Sequence, residues 1–178
     1  MKYLTIITFF FCNCLFAQEA NNFAFKNSIK ANFSAKAIEA YEENSFTKVN
    51  DFYQFLEIYS DKKSSDALRN QLKENLKSLV AENVMIADLF TSERTTLEKL
   101  LESINSKGFK FAVKNIQNKA TSTNFWTNSY TLEIANGTEI LRKNLVQRIY
   151  FYPEEKSFGS KKQEVWSIFL GEIKFAED

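Results

Sequence analysis

Few side chains in this sequence could do chemistry. Asp88 lies near the end of the apolar run Val84–Phe90, and Tyr53 and Tyr59 share one face of an amphipathic segment. A buried aspartate beside a phenol can act as a general base next to a hydrogen-bond donor. The plainer alternative is that Asp88 opens a loop and the tyrosines are core residues with satisfied hydroxyls. Trp126, Tyr130 and Trp166 could wall an aromatic pocket, with Tyr53 beside them and Asn128 as its polar member. A buried asparagine among aromatic rings needs partners, and a ligand is one way to supply them. Strand alternation equally allows these rings to be core. Asp88 and Tyr53 are therefore the candidate catalytic residues. Tyr53, Trp126, Asn128, Tyr130 and Trp166 are the candidate pocket. Lys156, Lys161 and Lys162 surround Gly159 and face Glu154 and Glu155, which reads as a solvated tip rather than an anion site.

What is missing narrows the chemistry further. The 178 residues contain no histidine, and the two cysteines, Cys12 and Cys14, fall in the first 17 residues. Zinc, copper and non-haem iron sites lean on those two residue types, so no metal is expected and no cofactor is called for. Hydrolases that use imidazole as general base are excluded. Carboxylate, lysine or tyrosine chemistry stays open, as does calcium or magnesium binding.

The first residues read as a signal peptide. Lys2 supplies a charged start, Leu4–Phe16 an apolar stretch, and Leu15-Phe16-Ala17 a small residue where cleavage would fall. The stretch is too short to span a membrane. Neither cysteine follows the leucine-small-small pattern of a lipoprotein. Cleavage after Ala17 would leave 161 of the 178 residues and remove Lys2, so 22 Lys and Arg balance 22 Asp and Glu. A neutral chain with interspersed signs argues against binding nucleic acid or an anionic membrane. Export to the periplasm or the exterior, without stable membrane insertion after cleavage, is the expectation.

The elements that must position the candidates follow from periodicity. Residues 18–33 read as a flexible lead-in, and 34–178 as one α+β domain. A first helix is expected over about Ser34–Tyr59, with Phe46, Val49, Phe52, Tyr53, Phe55, Leu56 and Tyr59 on one face and a break at Asn44-Ser45. Ser64 or Ser65 caps a second helix carrying Leu68, Leu72, Leu76, Leu79 and Val80, which should lie on the concave face of a sheet. Val84–Phe90 is long enough for one strand. Thr95 and Glu98 form a capping box for a third helix that ends near Gly108. Phe109, Phe111 and Val113 have strand period. In Phe125–Ile134, Trp126, Asn128, Tyr130, Leu132 and Ile134 share a face. Asn136-Gly137 signals a hairpin, and the return strand should stop at Pro153, with Glu154–Lys162 a charged loop. Val165–Leu170 is apolar on both faces, which predicts a central strand and a homodimer through the sheet.

The order helix, helix, short strand, helix, four antiparallel strands resembles the nuclear-transport-factor-2-like, cystatin-like cone superfamily. The resemblance covers roughly residues 34–176. It is carried by that order and by the aromatic stretches Phe125-Trp126-Thr127-Asn128-Ser129-Tyr130 and Glu164-Val165-Trp166-Ser167-Ile168-Phe169-Leu170. Phe151–Lys162 is also similar to small uncharacterised exported proteins of Gram-negative bacteria. The resemblance implies about three helices packed on a strongly bent antiparallel sheet of four to five strands, with an apolar pocket at its wide end. Members include enzymes, ligand binders and docking modules, so the fold leaves the function open. The leading expectation is an exported, non-enzymatic binding or interaction module for a small apolar ligand or an envelope protein. The alternative is a cofactor-independent lyase or isomerase using a pocket carboxylate and tyrosine, which requires a buried carboxyl with a raised pKa. A structural envelope component with a filled core is the third class.

Overall fold

The computed structural model describes residues 28–91 and 93–176. The expected signal peptide, and the lead-in up to Asn27, lie outside the described residues. The architecture is α+β, with helices α1 (Ile29–Asn32), α2 (Ala35–Ser60), α3 (Asp66–Leu79) and α4 (Leu97–Ile104). A two-residue pair, β1 (Ile86–Ala87) and β2 (Arg94–Thr95), precedes α4. The main sheet is β3 (Lys110–Thr121), β4 (Phe125–Asn136), β5 (Glu139–Phe158) and β6 (Lys161–Phe175), antiparallel and in sequence order. Among the described residues no helix is long and apolar enough to cross a membrane.

The long helix α2 is held by its own face. Ser34 caps it, accepting from the Ala37 N–H at 3.3 Å. Ser45, Val49, Phe52, Tyr53, Leu56 and Ser60 recur at three- and four-residue spacing and are the buried set. Glu57 ties α2 to β3, accepting from Lys110 Nζ at 2.8 Å and the Phe111 N–H at 3.1 Å. The expected break at Asn44-Ser45 does not occur. The Ser45 hydroxyl donates to the Glu42 carbonyl inside the helix and so leaves the backbone ladder intact. The domain also starts before Ser34. Ile29 is fully buried with its N–H on the Thr123 carbonyl, and the Phe33 ring packs against Tyr41, Phe151 and Trp166. Residues 28–33 are therefore domain, because their two large apolar side chains have a core to enter.

Two boundaries at α4 move by a residue or two. Thr96 caps the helix, accepting from the Lys99 N–H, while Thr95 is buried in β2 opposite Ile86. The left-handed residue after the helix is Ser106 (φ 55°). Gly108 (φ 75°) lies further along and donates its N–H to the Ser60 carbonyl. The second helix buries Leu72 and Leu76 and leaves Leu68 exposed, and it lies chiefly beside α2 rather than on the sheet.

In the sheet, β4 alternates as expected, with Trp126, Asn128, Tyr130, Leu132 and Ile134 inward. Three features extend or overturn the reading of the sequence. First, β3 runs on to Thr121 through two bulges, with Asn115 at φ 54°, which destroys the two-residue period that would have revealed it. Second, Pro153 does not end β5; it pairs with Trp166, and the strand continues to Phe158 before turning at Gly159 (φ 63°). The Phe151 N–H points to the β4 side, where it meets the Asn124 carbonyl, so the Pro153 nitrogen faces the same side. There β4 has already ended, at Phe125 opposite Tyr150, and no ladder bond is lost. Third, β6 is an edge strand, not a central one. Its edge is covered by Val80–Ala81, with the Ala81 N–H on the Leu170 carbonyl at 2.8 Å. Its outward Phe169 is covered by stacking on Tyr152, ring centroids 4.9 Å apart.

Candidate functional site

The sequence candidates separate into three places. Four of them meet in the packed core between α2 and the sheet. Tyr53 and Tyr130 place their hydroxyls 3.0 Å apart, and Tyr130 donates to Gln147 Oε1 at 3.0 Å, which leaves Tyr53 as donor to Tyr130. Burial pushes both phenols well above their ordinary range. Trp126 Nε1 and Asn128 Nδ2 both donate to Ser45 Oγ, at 3.1 and 2.9 Å. The oddity of a buried Asn128 is thus partly resolved by a helix serine that sequence patterning treated as a breaker. Asn128 sits directly opposite Gln147 across β4 and β5. The remaining Asn128 Oδ1 acceptor and Gln147 Nε2 donor have no protein partner. Tyr53, Trp126, Asn128 and Tyr130 are each at most 3% exposed, and the surface clefts are lined by other residues.

Trp166 stands apart from them. It is half-buried in a ring cluster with Phe33 and Phe151, centroids 5.1 and 5.0 Å away, and borders a surface cleft of about 560 Å³. Asp88 is in the β1–β2 turn, where its Oδ1 accepts the N–H groups of Phe90 and Thr91 at 2.8 and 2.9 Å. The structure therefore gives Asp88 to turn geometry and the Tyr53 hydroxyl to Tyr130. Among the described residues no Asp or Glu is buried. The resolved carboxyl shifts, at Glu133 and Glu154, go down, through hydrogen bonds from Arg142 and Lys156. No group of three or more acidic, histidine or cysteine side chains among the described residues is placed to hold a metal. At the β5–β6 tip, Lys156 pairs with Glu154 and Lys162 with Glu155, each at 2.6 Å.

The most deliberately built surface is one that sequence reading passed over. On β6 the register shifts between Gln147↔Ile173 and Ile149↔Leu170, so Gly171 and Glu172 together oppose Arg148. This bulge keeps both Leu170 and Ile173 in the core while Gly171 and Glu172 face outward. A Cβ on Gly171 would lie 2.7 Å from the Tyr150 ring and 2.9 Å from the Arg148 carbonyl oxygen. The absent side chain is what seats Tyr150. The Tyr150 hydroxyl meets both Glu172 oxygens, at 3.0 and 3.1 Å, and receives from Arg148 at 3.3 Å. The Arg148 guanidinium lies 4.5 Å over the Phe125 ring and 3.8 Å from Glu172. A cleft of about 540 Å³ opens on one side of this group, floored by Tyr150, Tyr152 and Phe169. Burial, with Glu154 and Glu82 nearby, raises the Tyr152 phenol. A glycine inside an apolar strand was the available signal for this surface.

No family model matches the chain, and no curated protein matches it.

Proposed function

We propose that this chain is an exported binding or interaction module of the cone-forming, nuclear-transport-factor-2-like kind, and that it engages its ligand or partner on the outer face of the sheet. The observation that carries the reading is the β6 bulge. It spends an interior glycine and a register shift to hold Arg148, Tyr150 and Glu172 together on a face that the core does not need. Aromatic residues with one polar handle, half-buried beside a cleft, are the composition of binding surfaces.

The cone-like geometry is supported by element order and by the bulges in β3 and β6, since bulged strands bend and twist more strongly. Export rests on the leader-like first 17 residues. The core side chains that could have formed an inner pocket instead bond one another, which favours the outer face over an apolar cavity.

Native mass spectrometry of the mature chain, isolated gently from its own cells, tests the reading. A retained small molecule, envelope protein or second copy supports it. A clean monomer mass under conditions that preserve weak complexes overturns it.

A further inference from the structure

Beside the bulge, sharing Glu172 with the aromatic cleft, is a smaller cleft of about 170 Å³. Its lining comes from four strands: Arg94 on β2, Thr127 on β4, Val146 and Arg148 on β5, and Glu172 and Lys174 on β6. Register explains the convergence. Thr127 is opposite Arg148 and Val146 opposite Lys174, so these residues form adjacent outward rows, and the β1–β2 pair brings Arg94 to them.

Three cations thus share a cleft with one carboxylate. Glu172 is already occupied by the Tyr150 hydroxyl and Arg148. Arg94 and Lys174 have no ion-pair partner among the described residues, so neither charge is neutralised by a neighbouring carboxylate. The local balance is two net positive charges against a protein that is neutral apart from its leader. Guanidinium groups present planar N–H forks suited to oxyanions, and a threonine hydroxyl adds a donor. The cleft volume is below the 300–1,000 Å³ or so of a site for a whole drug-sized ligand. It suits an anionic group.

We propose that the cleft of Arg94, Thr127, Arg148 and Lys174 is a receptor for a tetrahedral oxyanion, a phosphate or sulfate, either free or at the end of a larger ligand lying along the outer face. This rests on the reading of that face as the binding surface and names the chemistry it selects.

The test uses the full mature chain, ¹⁵N-labelled, titrated at low ionic strength with inorganic phosphate, sulfate, glycerol phosphate and acetate. Saturable shifts of the arginine Nε–Hε signals and of the Thr127 and Glu172 amides are expected, with a Kd on the order of millimolar or tighter. Acetate should bind more weakly than the dianions. Equal affinity for phosphate and glycerol phosphate identifies free-ion recognition, whereas tighter glycerol phosphate binding identifies an anionic end group. Arg94→Gln with Lys174→Gln should keep the melting temperature, since both side chains are exposed, and weaken binding about tenfold or more. Non-saturating shifts, or shifts unchanged in that double variant, overturn the oxyanion assignment. If the same variant still retains a native ligand or partner on its outer face, only the oxyanion inference fails. If nothing is retained by the wild type either, the binding-module reading fails with it.

Discussion

Replacing Ser45 by alanine should destabilise the domain far more than a serine-to-alanine change in a helix ordinarily does. In helix propensity alone the change is favourable, by a few tenths of a kcal/mol. Ser45, however, is fully buried and its oxygen accepts from two buried donors, Trp126 Nε1 and Asn128 Nδ2. Alanine leaves both without a partner. Each orphaned buried donor costs about 1–3 kcal/mol, and relaxation or an entering water recovers part of that, so a net loss of about 2–4 kcal/mol is expected. For a domain of this size that corresponds to a fall in melting temperature of roughly 4–16 °C. Urea unfolding followed by tryptophan fluorescence gives the free energy, and an unchanged slope shows that the native state is otherwise intact. A double-mutant cycle with Trp126→Phe isolates one of the two bonds. The Trp126→Phe penalty should shrink in the Ser45→Ala background, because the indole N–H has then already lost its acceptor. A Ser45→Ala loss under about 0.5 kcal/mol, or strict additivity in the cycle, would refute the claim that this serine anchors the sheet to α2.

Other consequences follow from the same geometry. Gly171→Ala pushes a methyl group into the Tyr150 ring and the Arg148 carbonyl and should cost about 1–3 kcal/mol in urea unfolding; a neutral substitution would mean that the bulge does not depend on this glycine. Tyr53 and Tyr130 have raised folded pKa values, so the stability they contribute is intact below the unfolded value near 10 and is lost as pH rises through the folded values. Absorbance at 295 nm should show these two phenols ionising only with alkaline unfolding, and early titration of all the tyrosines would contradict their burial. Glu133 and Glu154 have lowered values, so their contribution is present above the unfolded value near 4.5 and lost as pH falls through the folded values. The urea midpoint should therefore drop less on acidification in the Glu133→Gln, Glu154→Gln double variant than in the wild type.

How much of this was legible in the sequence depends on how local each cause is. The β4 face from Trp126 to Ile134, the centre of the α2 stripe (Val49, Phe52, Tyr53 and Leu56) and Ser65 as one of the two cap candidates depend on spacing within one element, and these are present as read. Pro153 was misread because its harmlessness depends on where β4 stops, a fact about a different strand. The latter half of β3 was hidden because bulges remove periodicity, the signal on which strand reading relies. Ser45 looked like a helix breaker because its real partners, Trp126 and Asn128, are about eighty residues away. The outer-face site was missed for the same reason: Arg94 reaches Arg148 and Lys174 only through folding, across a β1–β2 pair too short to recognise. Gly171 alone announced it. The other three glycines sit at positive φ in turns or loops, and this one, inside an apolar strand, had no turn to make.

The most direct test of the outer face as the binding surface compares two chains isolated natively from the same cells. One is the wild type, and the other carries Tyr152→Ser and Phe169→Ser, which remove the stacked pair flooring the large outward cleft. Native mass spectrometry should find a retained molecule or chain on the wild type and lose it from the variant, with circular dichroism unchanged. A species retained equally by both, or absent from both, would contradict the account.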